Sequence, residues 1–85
     1  MRTARRAGTE RLVHRIAELV ALTAGRPVPR QRLAARWAVT PRTVNNVIDR
    51  AFDLFGVRVE HLPAEGYALI TPGILDLKAC VKATR

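Results

Sequence analysis

Along "TPRTVNNVIDRAFDLFGVRVEHLPAEGYALI", residues 40–70, the apolar spacing changes once, at Gly56. Before it, Val44, Val47, Ile48, Ala51, Phe52 and Phe55 recur at i, i+3, i+4, i+7, i+8 and i+11, the spacing of a helix with one broad apolar face. Thr40 and Pro41 suit the cap and first position of that helix, where proline's missing donor costs nothing. After it, Val57 and Val59 alternate with Arg58 and Glu60, "LPAEG" supplies a turn, and Tyr67 and Leu69 alternate with Ala68 and Ile70. The period of two predicts a hairpin over residues 57–70. In a chain of 85 residues this leaves room for one small domain. Such a domain buries only about 60 to 65% of its unfolded surface and has no space for a large cofactor cavity; no cofactor is expected.

Upstream, Leu12, Val13, Ile16, Leu19 and Val20 recur at helical spacing, Thr9 can cap the start, and Gly25 is a natural stop. The pattern predicts a first helix over about 9–24, preceded by a mobile basic arm, residues 1–8, with no large side chain beyond Met1 to fold it back. "RPVP", residues 26–29, is too proline-rich to be helical and offers Val28 as a brief extended bridge. A short second helix is expected over "RQRLAARW", residues 30–37, with Leu33, Ala34 and Trp37 on one face. The tail, residues 71–85, fits two periods: Ile74, Leu77, Cys80 and Val81 suit a helix, while Leu75, Leu77, Ala79 and Val81 suit a strand. Thr71 and Pro72 resemble another helix start, so a helical tail is expected. The fold class is therefore α+β, mainly α: a three-helix core, a two-stranded hairpin and a short C-terminal segment, with 9–70 as the domain.

Charge is uneven. The net charge is +8, and residues 1–36 hold nine Arg against Glu10 and Glu18, a net +7, whereas residues 37–56 balance Arg42 and Arg50 against Asp49 and Asp53. Arginine's planar fork suits phosphate oxygens and guanine edges. One cysteine excludes an internal disulfide, and no apolar run approaches the roughly 18 residues of a membrane span. A soluble, cytoplasmic protein is expected, associated with the nucleoid when bound to DNA. His14, His61 and Cys80 lack the paired spacing of a zinc site, so no metal is expected. No nucleophile with its base and no carboxylate pair can be assembled from the scattered acids and two histidines, which argues against an enzyme.

The order helix, extended piece, helix, tight turn, helix, hairpin carries a resemblance. "RLAARWAVTPRTVNNVIDRAFDLFGVRVEHLPAEGYAL", residues 32–69, resembles the small winged helix-turn-helix regulators found at the N-terminus of DeoR-type repressors and in the biotin-operon repressor. Within it, "LAARWAVTPRTV" is similar to the helix-turn-helix core, with Ala34 at the helix crossing, Val39 plugging the turn and Val44 locking the third helix. "GVRVEH" and "EGYAL" are similar to the wing. Two departures matter: Ala38 stands at a turn position often held by glycine, and Asn46 stands where family members often carry a basic residue. The resemblance implies DNA binding but not a transferable specificity.

A recognition helix enters the major groove with its first turns nearest the bases. Taking the apolar stripe as the inner side, Arg42, Asn46, Asp49 and Asp53 point most directly away, flanked by Thr43 and Arg50. Arg42, Thr43 and Asn46 are the expected base contacts, by an Arg fork to guanine and an amide to adenine. Asn45, Arg50, Arg30, Arg32, Arg36 and Arg58 are expected at phosphates. Arg2, Arg5 and Arg6 of the arm are expected in a minor groove or on the backbone. The expected function is a sequence-specific double-stranded DNA-binding regulator acting as a repressor, and a homodimer through Ile74, Leu77 and Val81, since one short helix usually lacks affinity. Two other readings remain open: a protein-interaction module, an inhibitor or adaptor with an acidic partner, and a non-specific nucleic-acid binder.

Overall fold

Local chemistry sets the elements. The computed structural model describes residues 2–84, the side chains of 2–7 and 9 excepted. It is mainly helical with a two-stranded antiparallel sheet: α1 (Arg2–Gly25), α2 (Arg30–Trp37), α3 (Pro41–Phe55), β1 (Arg58–Leu62), β2 (Gly66–Thr71) and α4 (Leu77–Ala83). Thr40 caps α3, its side chain accepting from the Thr43 N–H at 3.3 Å, with Pro41 in the first turn. Gly56, left-handed at φ 73°, ends α3. The Gly56 and Val57 N–H groups donate to the Phe52 and Ala51 carbonyls, which closes the last turn.

The turn from α2 to α3 is residues 38–40. Ala38 takes φ 55°, ψ 47°, a left-handed conformation that disfavours a Cβ. Val39 donates to the Ala34 carbonyl at 2.9 Å and packs half-buried against the core. On the other side of α2, Val28 and Tyr67 exchange both backbone hydrogen bonds, each 2.9 Å, as an isolated antiparallel bridge. The extended piece before α2 thus leans on β2.

The core is Ile16, Leu19 and Val20 from α1, Val28, Leu33, Ala34 and Trp37 around α2, Val44, Val47 and Ala51 from α3, then Val57 and Cys80. α1 packs against α3, α4 and β2, while α2 packs on α3.

Four sequence expectations need correction. The first helix begins at Arg2 rather than near Thr9, so the backbone of 2–8 continues α1 instead of forming a separate arm; alanine and arginine favour helix without any apolar stripe. Thr71 ends β2 instead of starting a helix: its hydroxyl accepts from the Gly73 N–H at 3.1 Å, and Gly73 sits at φ 63°. The tail helix starts later, where Asp76 accepts from the Lys78 N–H at 2.9 Å. Phe52, placed on the buried stripe by spacing, is 48% exposed, and Val13 is exposed as well. On a wheel of about 100° per residue Phe52 falls at the edge of the arc centred on Val44, Val47 and Ala51.

Among the described residues no helix is long and apolar enough to cross a membrane.

Candidate nucleic-acid interface

The buried line of Val44, Val47 and Ala51 orients α3. Arg42, Asn46, Asp49 and Asp53, on the opposite side of the wheel, are all exposed, as is Arg50. Thr43 is half-buried, and its hydroxyl lies 3.2 Å from that of Thr40. The capping network therefore holds it close to the helix start. The two aspartates follow Asn46 by one and two turns, so negative charge is confined to the later half of α3.

The hairpin lies along one edge of α3. Tyr67 O–H donates to Asn45 Oδ1 at 3.1 Å, and the Arg58 guanidinium stacks 5.3 Å from the centroid of the Phe52 ring. Asn45, expected at a phosphate, is therefore tied to β2, although it remains exposed. Arg58 is exposed too and covers an aromatic face.

Register accounts for the neighbouring apolar surface. Val59 pairs with Leu69 and Arg58 with Thr71, so Ile70 is the extra residue of a bulge and is 61% exposed. Ile48, Phe52, Val59 and Ile70 line a groove of about 320 Å³, with Asp49 and Arg58 beside them.

Tyr67 is the organising residue that sequence reasoning passed over. It reaches Asn45 through its hydroxyl, Val28 through its backbone, and His61 through its ring, 5.1 Å between centroids. His61 in turn shares a small groove with Arg30, Gln31 and Gly66. Asn45, Tyr67, His61 and Arg30 thus form a linked polar surface from α3 across the hairpin to the start of α2. The sequence signal was only the Gly-Tyr step into the second strand.

The three arginines of α2 do not share one groove. Arg30 faces the hairpin, whereas Arg32 and Arg36 line a separate groove against the end of α1. The Arg36 Nε–H donates to Glu18 Oε2, and the same carboxylate accepts from Trp37 Nε1 at 3.2 Å and lies 3.4 Å from His14 Nε2. Arg36, expected at a phosphate, gives its Nε–H to an ion pair within the fold while its side chain stays about half exposed. Glu18 is buried although it falls opposite Ile16 on the α1 wheel, because the Arg36 and Trp37 side chains of α2 reach it. One-sided periodicity cannot reveal a helix covered on two sides.

Trp37 is buried, as expected of a core residue. Cys80 is buried too, and its thiol is pushed above the usual range by burial first and by the Asp76 carboxylate second. In the tail, Cys80 faces α1 while Ile74 is 81% exposed and Leu77 37% exposed, with Val81 half-buried. The arm residues Arg2, Arg5 and Arg6 have side chains outside the described residues. Among the described residues no three His, Cys, Asp or Glu side chains converge as metal ligands. Comparison with protein-family models, with curated proteins and with solved structures finds no match to this chain.

Proposed function

We propose that the chain is a winged helix-turn-helix and acts as a sequence-specific double-stranded DNA-binding transcriptional regulator, a repressor by occupancy of its site. The observation that carries this reading is the two-sided character of α3. Its inner line is fully packed, and its first turns present Arg42 and Asn46 to solvent beside the surface of Asn45, Tyr67, His61 and Arg30. Arg42 would fork onto a guanine edge and Asn46 onto an adenine edge, each contributing about 1 to 3 kcal/mol of discrimination. Asn45, Arg30, Arg50 and Arg58 would sit at phosphates, and the hairpin serves as the wing. Asp49 and Asp53 keep the later half of α3 out of the groove, since insertion along the whole helix would bring them against phosphate. The apolar tail, Ile74, Leu77 and Val81, would join two copies over two related half-sites about one DNA turn apart.

A second reading, a protein-interaction module, is favoured by the exposed Phe52 and Ile70 around the groove beside Asp49. Amide chemical shifts recorded while a pool of random DNA duplexes is added at low salt separate the two. The DNA reading expects changes at residues 42–46, Arg30, His61 and Tyr67, attenuated in Arg42→Ala. Silence at these positions, with the shifts unmoved by any duplex, would reject it and leave the apolar groove as the functional surface.

A further inference from the structure

The groove that takes in Arg32 and Arg36 has no part in the proposed DNA contact. It lies between the end of α1 and α2, encloses about 460 Å³, and is floored by Leu22, Val28 and Leu33 with Arg26, Arg32 and Arg36 along its sides. It shares no residue with the groove of Arg30 and His61. We propose that it binds a small amphiphilic anion, an aryl or short acyl group bearing one carboxylate.

Charge and shape both select that class. Three arginine side chains line one concavity and, among the described residues, no acid lines it, so like charges are brought together and an anion among them relieves the repulsion. The nearest described counter-charge is the buried Glu18, which occupies the Nε–H of Arg36; a guanidinium carries five donors in all. The floor is apolar, so a bare inorganic anion leaves it wet, and a ring or short chain covers it. The volume falls within the range of about 300 to 1,000 Å³ usual for small-molecule sites. A DNA backbone supplies phosphates but nothing apolar to fill such a floor. The inference does not rest on α3 reading DNA.

The fold supplies its own reporter. Trp37 is the only tryptophan, and its indole N–H shares the Glu18 carboxylate with Arg36. The test titrates the full chain with phenylacetate, following Trp37 fluorescence and amide shifts, beside phenylacetamide, inorganic sulfate and a DNA duplex. Saturable binding is expected, with a Kd on the order of 1 mM for a ligand of about ten heavy atoms. The amides of Leu22, Val28 and Leu33 should move. Phenylacetamide should bind at least about tenfold more weakly, since it lacks the charge. Arg32→Ala, an exposed position, should weaken phenylacetate similarly while circular dichroism stays unchanged. Equal binding of acid and amide overturns the proposal. So do sulfate binding as tightly as phenylacetate, a duplex displacing phenylacetate from the groove, or a response that stays linear with ligand and unaffected by Arg32→Ala.

Discussion

Ala38 holds a left-handed backbone at the turn between α2 and α3, where an L side chain costs about 1 to 2 kcal/mol. Glycine would remove that cost while adding freedom to the unfolded chain. Ala38→Gly should therefore stabilise the fold by about 0.5 to 1 kcal/mol, raising the urea midpoint without altering the slope. Glu18 is the opposite case. The solvent-facing side of its pair with Arg36 contributes little, about 0 to 1 kcal/mol, but the buried Trp37 N–H needs its acceptor. Glu18→Ala should cost about 1 to 3 kcal/mol, read by the same unfolding titration, and should change Trp37 emission in the folded state. A wild-type midpoint for Glu18→Ala would show that the carboxylate does not hold this junction. The burial of Glu18 could not be read from its own helix, whereas the strain at Ala38 was visible as a non-glycine residue at a glycine-favouring position.

Among the elements, α2 and α3 stand where spacing puts them, at Arg30–Trp37 and Pro41–Phe55; Thr40 and Gly56 mark the ends of α3, while α2 lies between Pro29 and the left-handed Ala38. The hairpin, Arg58–Leu62 with Gly66–Thr71, follows its alternation of period two to within one residue at its outer ends. The outer ends were less legible. The start of α1 carries no apolar stripe to mark it, and the tail satisfied both periods until Gly73 and Asp76 decided between them. Gly66 ties the elements together in a way no pattern announces. At φ 111°, a Cβ there would stand 2.4 Å from the Val28 carbonyl carbon and oxygen. Gly66→Ala should break the bridge between Val28 and Tyr67 and cost several kcal/mol, about the 1 to 3 of a strained backbone plus the steric clash. Loss of amide-exchange protection at Val28 and Tyr67, ahead of the α3 core, is the expected signature. Unchanged protection at both would show that the bridge tolerates a side chain at Gly66.

For the whole molecule, the 41 Å long axis is consistent with α1, whose 24 residues span about 36 Å at helical rise. The proposed second copy belongs to this scale. Ile74 and Leu77 contribute exposed apolar surface while Cys80 holds α4 against α1, so charge at the outer positions should spare the monomer. Sedimentation of wild type should show a concentration-dependent dimer, and Ile74→Asp with Leu77→Asp should give a monomer with the same circular dichroism. A wild-type monomer at every concentration would remove the tail seam from the account. Charge at this scale is +8, and each phosphate contact should add roughly −0.9 to the slope of log affinity against log salt. The salt slope separates phosphate attraction from base reading only when it is compared across sequences.

Selection from random double-stranded DNA, run in parallel with wild type and Asn46→Ala, bears most directly on whether α3 reads bases. Wild type should enrich a motif with two-fold symmetry, and Asn46→Ala should lose preference at one base pair of each half-site while retaining the rest. Recovery of unenriched sequence by wild type, or an identical motif from both proteins, would contradict base reading by the exposed face of α3.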